Sequence, residues 1–244
     1  MNFKQMMVIN LSGDIKSAKN SDLIAYLSAQ IKNSRELGWD DKDIIIMSNV
    51  KLDIELPVVL LDKVNNTCLT GSKTFAILQA YQSGIVSGPV WLHDLDAWQN
   101  VAFDLPDFKD VGIAEYSTPK YNGGSVFYRP SAVDLIKLVV DDIDKNTADK
   151  EEPFLNKVFR AEQNKHRVTR LEHGFNVGCS GFVKRYASAE KPVKVCHFHP
   201  KNRMAWMTQV MDQHKVGKCA SDRLINLLRV NKLAPVILGD KQYN

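Results

Sequence analysis

"VWLHDLDAWQN", Val90 to Asn100, is the stretch on which the reading of this chain turns. Val90, Trp91 and Leu92 form an apolar run that suits a buried strand. Asp94 and Asp96 follow it, one residue apart. In an extended segment that spacing puts both carboxylates on one side, where they repel each other. A strand that ends on such a pair calls for a ligand that holds the two acids together.

The flanking pattern places this strand in a larger plan. "MMVINLS" (Met6 to Ser12) reads as a strand. A helix follows, with Ser21 as its cap, Leu23, Ile24, Leu27 and Ile31 at helical spacing, and Gly38 as its stop. "DIIIMSN", from Asp43, and "PVVLLD", Pro57 to Asp62, read as two more strands. "TGSKTFAILQAYQSG", Thr70 to Gly84, reads as a second helix. This alternation predicts an α/β fold with a mostly parallel central sheet and helices on both faces. Ligands of such sheets sit beyond the carboxyl ends of the strands, where Asp94 and Asp96 stand.

The second half is less regular. "VGIAEYS" and "GGSVFYR" read as strands joined by a loop around Pro119 to Asn122. Ser131 to Asp144 reads as a helix capped by its serine, and "EEPFLNKVFRAEQ" as another, with Pro153 in its first turn. "RVTRLE" and "FNVGCSGF" suggest short strands, "KPVKVCHFHP" a strand ended by Pro200, and "DRLINLLRV" a short amphipathic helix. With no internal repeat and no linker, one domain is expected over residues 1–244. Residues 1–115 would form its regular first half, and residues 116–244 a less regular second half with a C-terminal segment.

Composition bounds the function. The 244 residues are enough to bury a core, and the ordinary apolar and charged content excludes a disordered chain. The formal net charge of +4 is mildly basic and compatible with a polyanionic partner. Cys68, Cys179, Cys196 and Cys219 are widely spaced, without a CxxC pair, and read as reduced thiols of a cytoplasmic protein. No apolar stretch approaches the length of a membrane span, and no signal peptide is expected.

Aspartates paired in this way suit Mg²⁺ or Mn²⁺, which also bridge to the phosphates of a nucleotide. "CHFHP", Cys196 to Pro200, ends a later strand and offers His197 and His199 on one strand face. Imidazole joins carboxylates on Mn²⁺. Thr70, Gly71 and Ser72 open a helix whose free N–H groups favour an anion, and Lys73 adds charge there.

Through "HDLDAW", "NGGSVFYRP" and "VCHFHP", taken in order, the chain resembles the GT-A fold glycosyltransferases. The resemblance implies a nucleotide-sugar-binding α/β half over residues 1–115, an Asp-x-Asp motif at the end of a central strand and a less regular acceptor half with the C-terminal segment over residues 116–244. It implies a nucleotide-sugar donor, a UDP-sugar foremost, and a divalent ion, Mn²⁺ or Mg²⁺. Asp94 would approach the ribose or the metal, and Asp96 would be the firmest metal ligand. His197 matches the late histidine of the family best, and His199 is its alternative. Asn122, Gly123 and Gly124 would lie near the donor sugar, and Ser72 and Lys73 near the nucleotide. In an inverting enzyme a carboxylate must take the acceptor proton. The acidic pair Glu151 and Glu152 stands where inverting relatives carry that base, and Glu152 is the candidate.

Lys165, His166, Arg167, Arg170, Lys184 and Arg185 are interleaved with Phe175, Phe182 and Tyr186, and Lys191, Lys194, Lys201 and Arg203 follow. Such a mixture can hold a phosphate backbone and stack on bases. The chain is also similar to small bacteriophage glycosyltransferases, some of which modify hydroxylated DNA bases, so DNA is the acceptor expected. Two rivals remain. A nucleotidyltransferase would share the sheet and the acids but needs a glycine-rich loop after its first strand, where only Gly13 stands. A nucleic-acid-binding module would leave Asp94, Asp96 and the histidines unused.

Overall fold

The computed structural model describes residues 2–13, 17–64, 68–117, 120–146, 150–178, 182–198 and 219–233. His199, Lys201 and Arg203 lie outside them.

A seven-stranded sheet is built from β1 (Lys4–Ile9), β2 (Ile44–Ser48), β3 (Val58–Leu60), β4 (Val90–His93), β6 (Val111–Ser117), β7 (Lys120–Tyr128) and β8 (Val168–Leu171). Its order is β3-β2-β1-β4-β7-β6-β8. The first four strands are mutually parallel, β7 is antiparallel to both its neighbours, and β8 is parallel to β6. Only β7 therefore runs against the rest. A second sheet, β5-β10-β9, joins β5 (Ala97–Gln99), β9 (Val177–Gly178) and β10 (Val195–His197). β10 pairs antiparallel with β5 and parallel with β9.

The alternation of side chains along β4 divides the interior in two. Trp91 points into a cluster with Tyr26, Leu27 and Ile31 of α1 (Ala18–Glu36), with Trp98 of β5 and with Leu224 and Leu228 of α6 (Asp222–Val230). Val90 and Leu92 point the other way. They meet Phe75 and Leu78 of α2 (Ser72–Gln82), Leu135 and Val139 of α3 (Val133–Asp144) and Leu155 of α4 (Glu152–Phe159). Each face of the sheet is thus covered by helices, as the continuous apolar β4 run demands. Among the described residues no helix is long and apolar enough to cross a membrane.

Several boundaries differ from the sequence reading. α1 begins at Ala18, because the Ser17 hydroxyl accepts the Asn20 N–H and caps the helix one turn before Ser21. Ser131 does not cap α3. Its hydroxyl donates to Asp110 Oδ1, and residues 130–132 form a 3₁₀ turn instead. β7 starts at Lys120, inside the expected loop. "FNVGCSGF" is only a two-residue strand, followed by an unforeseen helix, α5 (Phe182–Ser188).

Candidate metal and donor site

The Asp-x-Asp segment bridges the two sheets. The Asp94 N–H donates to Gly124 O of β7, extending the β4–β7 pairing by one residue. Ala97 N then bonds Asp94 O, so the chain turns and enters β5. Phe198 N bonds Asp96 O, which ties the second acid to the end of β10. His197 is the last residue of β10 and lies opposite Ala97. The two acids and the imidazole are thereby delivered from strand ends of different sheets.

Their ligand atoms converge. His197 Nε2 lies 3.2 Å from Asp96 Oδ1 and 3.7 Å from Asp94 Oδ2. One atom from each of the three residues fits within 4.8 Å. Burial alone would lower the His197 titration, but the two carboxylates outweigh it and hold the imidazole raised. Two carboxylate oxygens and an imidazole nitrogen form a donor set suited to Mn²⁺ or Mg²⁺, Mn²⁺ being the more tolerant of nitrogen.

The remaining residues expected at the site lie around this cluster. The Lys73 side chain is 12% exposed, and its ammonium lies 2.5 Å from Asp94 Oδ1, 2.7 Å from Glu151 Oε1 and 2.8 Å from Gly123 O. Burial would lower its titration, and the carboxylates of Asp94 and Glu151 reverse this, so it stays charged. In this structure it serves acids, where the sequence suggested a free cation facing a phosphate. Ser72 is buried, and its hydroxyl accepts from Asn10 Nδ2. One ammonium facing two carboxylates leaves one negative charge uncompensated. Burial places that cost on Glu151, whose carboxyl is pushed up to about 7 despite Lys73 and a bond from the Thr74 hydroxyl.

Glycine is needed at 123 and 124 for packing. A Cβ at Gly123 would stand 2.5 Å from Glu151 Oε1, and one at Gly124 would run into the His197 ring. Glu152 does not touch the metal cluster directly. Its Oε1 accepts from Asn122 Nδ2 at 2.9 Å. His93, which precedes the motif, is fully buried, stacks on Trp91 and is pushed down to about 4 by burial. Neutral, it donates from Nδ1 to Asp94 O and accepts at Nε2 from Gln5 Nε2.

One residue of the site was missed in the sequence, and another was undervalued. Asn176 is buried, and its Oδ1 lies 3.0 Å from His197 Nδ1. The only trace of it was its place in the short "FNVG" strand. Glu151 was seen, but as the lesser half of an acidic pair. The basic stretch also differs from an open cationic stripe. Lys165 pairs with Glu162, Arg167 with Asp110 and Asp134, Arg170 with Glu115, and Lys194 with Glu172 and Glu190. Arg185 is buried and donates to Gly178 O.

The sheet order, the single reversed strand and the acids at the strand end together define the GT-A glycosyltransferase fold. No family model matches the chain, and no curated protein matches it. Solved structures do. The glycosyltransferase GlyE of Streptococcus pneumoniae TIGR4 is similar at 12% identity with a TM-score of 0.55, over 95% of this chain and 65% of that one. The galactosyltransferase LgtC, solved with donor and acceptor sugar analogues, is similar at 14% identity with a TM-score of 0.52, over 93% and 100%. A glycosyltransferase involved in glycosylation of the major capsid of PBCV-1 is similar at 13% identity with a TM-score of 0.52, over 86% and 99%.

Proposed function

We propose that the chain is a metal-dependent glycosyltransferase, one domain over residues 1–244, that moves a sugar from a nucleotide-sugar donor to a hydroxyl acceptor. The observation that carries this is the meeting of Asp94, Asp96 and His197 at strand ends of a GT-A fold. These three residues would hold Mn²⁺ or Mg²⁺. When bound, the ion neutralises negative charge on the departing nucleotide diphosphate. Asn122, Gly123 and Gly124 line the approach for the donor sugar, with a UDP-sugar as the leading donor. Lys73 holds Asp94 in place.

Glu152 is the candidate base for an inverting reaction. A titration near neutrality would favour Glu151. Its two oxygens are already engaged, however, by Lys73 and by Thr74. Glu152 is half-buried and only one of its oxygens accepts from Asn122, so it keeps the assignment.

The acceptor reading is a hydroxylated base in DNA, in a phage-type enzyme working in the cytoplasm. Its support is the basic stretch after Lys165, reduced by the ion pairs described above and by the burial of Arg185 to His166, Lys184, Lys191 and residues outside the described ones. The test is a thermal-shift screen of sugar nucleotides with and without Mn²⁺, since a ligand that binds the folded state raises the midpoint. It is followed by incubation with hydroxymethylated or unmodified DNA and weighing of the nucleosides. A midpoint that no sugar nucleotide moves with Mn²⁺ present sinks the enzyme reading. A glycan that gains sugar while no nucleoside does sinks only the DNA acceptor.

A further inference from the structure

Asn122 and Asn176 form a chain of amides between Glu152 and His197, and the direction of every bond in it is fixed. Asn122 Oδ1 accepts the backbone N–H of Gly124 at 2.9 Å, and a backbone N–H can only donate. Asn122 Nδ2 faces Glu152 Oε1 at 2.9 Å, which agrees with that orientation. The same Oδ1 faces Asn176 at 2.8 Å, so the group opposite must be the Asn176 amide nitrogen. Asn176 Oδ1 is then left facing His197 Nδ1 at 3.0 Å, and an oxygen can only accept there. Flipping either amide would set two donors or two acceptors against each other.

We infer that Asn176 is a positioning residue. Oriented by Asn122, it holds the neutral His197 as the Nδ1–H tautomer and leaves the Nε2 lone pair to the ion that Asp94 and Asp96 share. This rests on the metal reading proposed above and deepens it. All members of the chain are buried except Glu152, which is half-buried, so water does not compete freely for these bonds. Gly124 contributes twice: its N–H sets the direction, and its missing side chain leaves room for the imidazole. Outer partners of this kind fix both the tautomer and the ring plane of a metal-binding histidine. The chain ends on Glu152, so the candidate base and the candidate metal ligand are oriented by one set of amides.

The test starts from Asp96→Ala, which removes the carboxylate 3.2 Å from His197 Nε2. In that ¹⁵N-labelled, metal-free protein at alkaline pH, where the imidazole is neutral, long-range proton–nitrogen correlations assign its tautomer. Nδ1–H is expected, and Nε2–H overturns the inference. Free Mn²⁺ is then measured by electron paramagnetic resonance with the parent, Asn176→Asp and Asn176→Leu. Aspartate still accepts from Nδ1 and should retain Mn²⁺ affinity, while leucine should lose about 10–100-fold. A leucine variant that binds like the parent overturns the inference. If the leucine variant does not fold, the tautomer decides. If the parent binds no Mn²⁺, the metal reading falls, and the tautomer still judges the amide chain.

Discussion

Lys73 Nζ lies 2.5 Å from Asp94 Oδ1, so the first acid of the Asp-x-Asp motif is held by the second residue of α2. The same ammonium reaches Glu151 at the start of α4. One largely covered cation therefore joins the end of β4 to two helices packed on the same face of the sheet.

Replacing that cation should cost more than an ordinary surface pair. Lys73→Met strands Glu151, whose side chain is 2% exposed, and is expected to destabilise by about 3–5 kcal/mol. Lys73→Met combined with Glu151→Gln should recover much of the loss, because no buried charge is then left alone. Urea denaturation of both variants checks this. Equal stabilities would show that the ion pair is not what the site rests on.

Asp96→Ala should separate folding from function. The side chain of Asp96 is one-third exposed, and its Oδ1 lies 3.2 Å from His197 Nε2. Its removal should leave the unfolding midpoint close to that of the parent. The rise in midpoint with Mn²⁺ and a sugar nucleotide should disappear, and transfer with it. Turnover at the parental rate would mean the metal site is misassigned.

Gly124→Ala tests the packing of the same centre. The added methyl must displace the His197 ring or the strand, so a loss of about 1–3 kcal/mol is expected. Weakened Mn²⁺ binding should accompany it. A variant of parental stability and metal affinity would show that the imidazole does not sit against β7 as described.

Acid should act through a different cluster. Asp110 is held below its ordinary 3.8: burial would raise it, but the Ser131 hydroxyl and Arg167 prevail. Asp134 is lowered as well, chiefly by its bond from Arg167. Carboxyls depressed in the folded state contribute stability above their unfolded titration, and that contribution is lost as pH falls through the folded values. Arg167→Gln should therefore cost stability at pH 6, on the order of 1 kcal/mol. The difference from the parent should shrink as pH falls below 3.8. A pH-independent difference would assign the arginine a packing role only.

Thiol labelling offers a further check. Cys68, Cys196 and Cys219 are buried thiols outside any disulfide, with Cys196 Sγ 3.3 Å from Cys219 Sγ. Burial pushes the Cys196 thiol up, which keeps it in the unreactive form. These thiols should react with an aromatic disulfide reagent only as the protein unfolds. Fast labelling of all three in the native protein would contradict their burial.

The sequence by itself determined the alternating strands and helices up to Gln82, the buried β4 run and the acids at its end, and the helix Asp222–Val230. These are legible because side-chain period, glycine stops and apolar runs act within a few residues. Tertiary structure decided what those rules do not reach. The three-stranded sheet exists because β5, β9 and β10 bury one another, and strands of two or three residues carry almost no pattern of their own. The direction of Lys73 toward Asp94 and Glu151, away from solvent, came from the packing of α2 beside β7 and α4. Glu152 was the candidate base in the sequence already, and the packing added that Glu151 is the carboxyl it covers. His197 met Asp94 and Asp96 only because antiparallel pairing sets residue 197 opposite residue 97. A pairing between segments that far apart is fixed by how the buried faces fit, which no local spacing in the chain encodes.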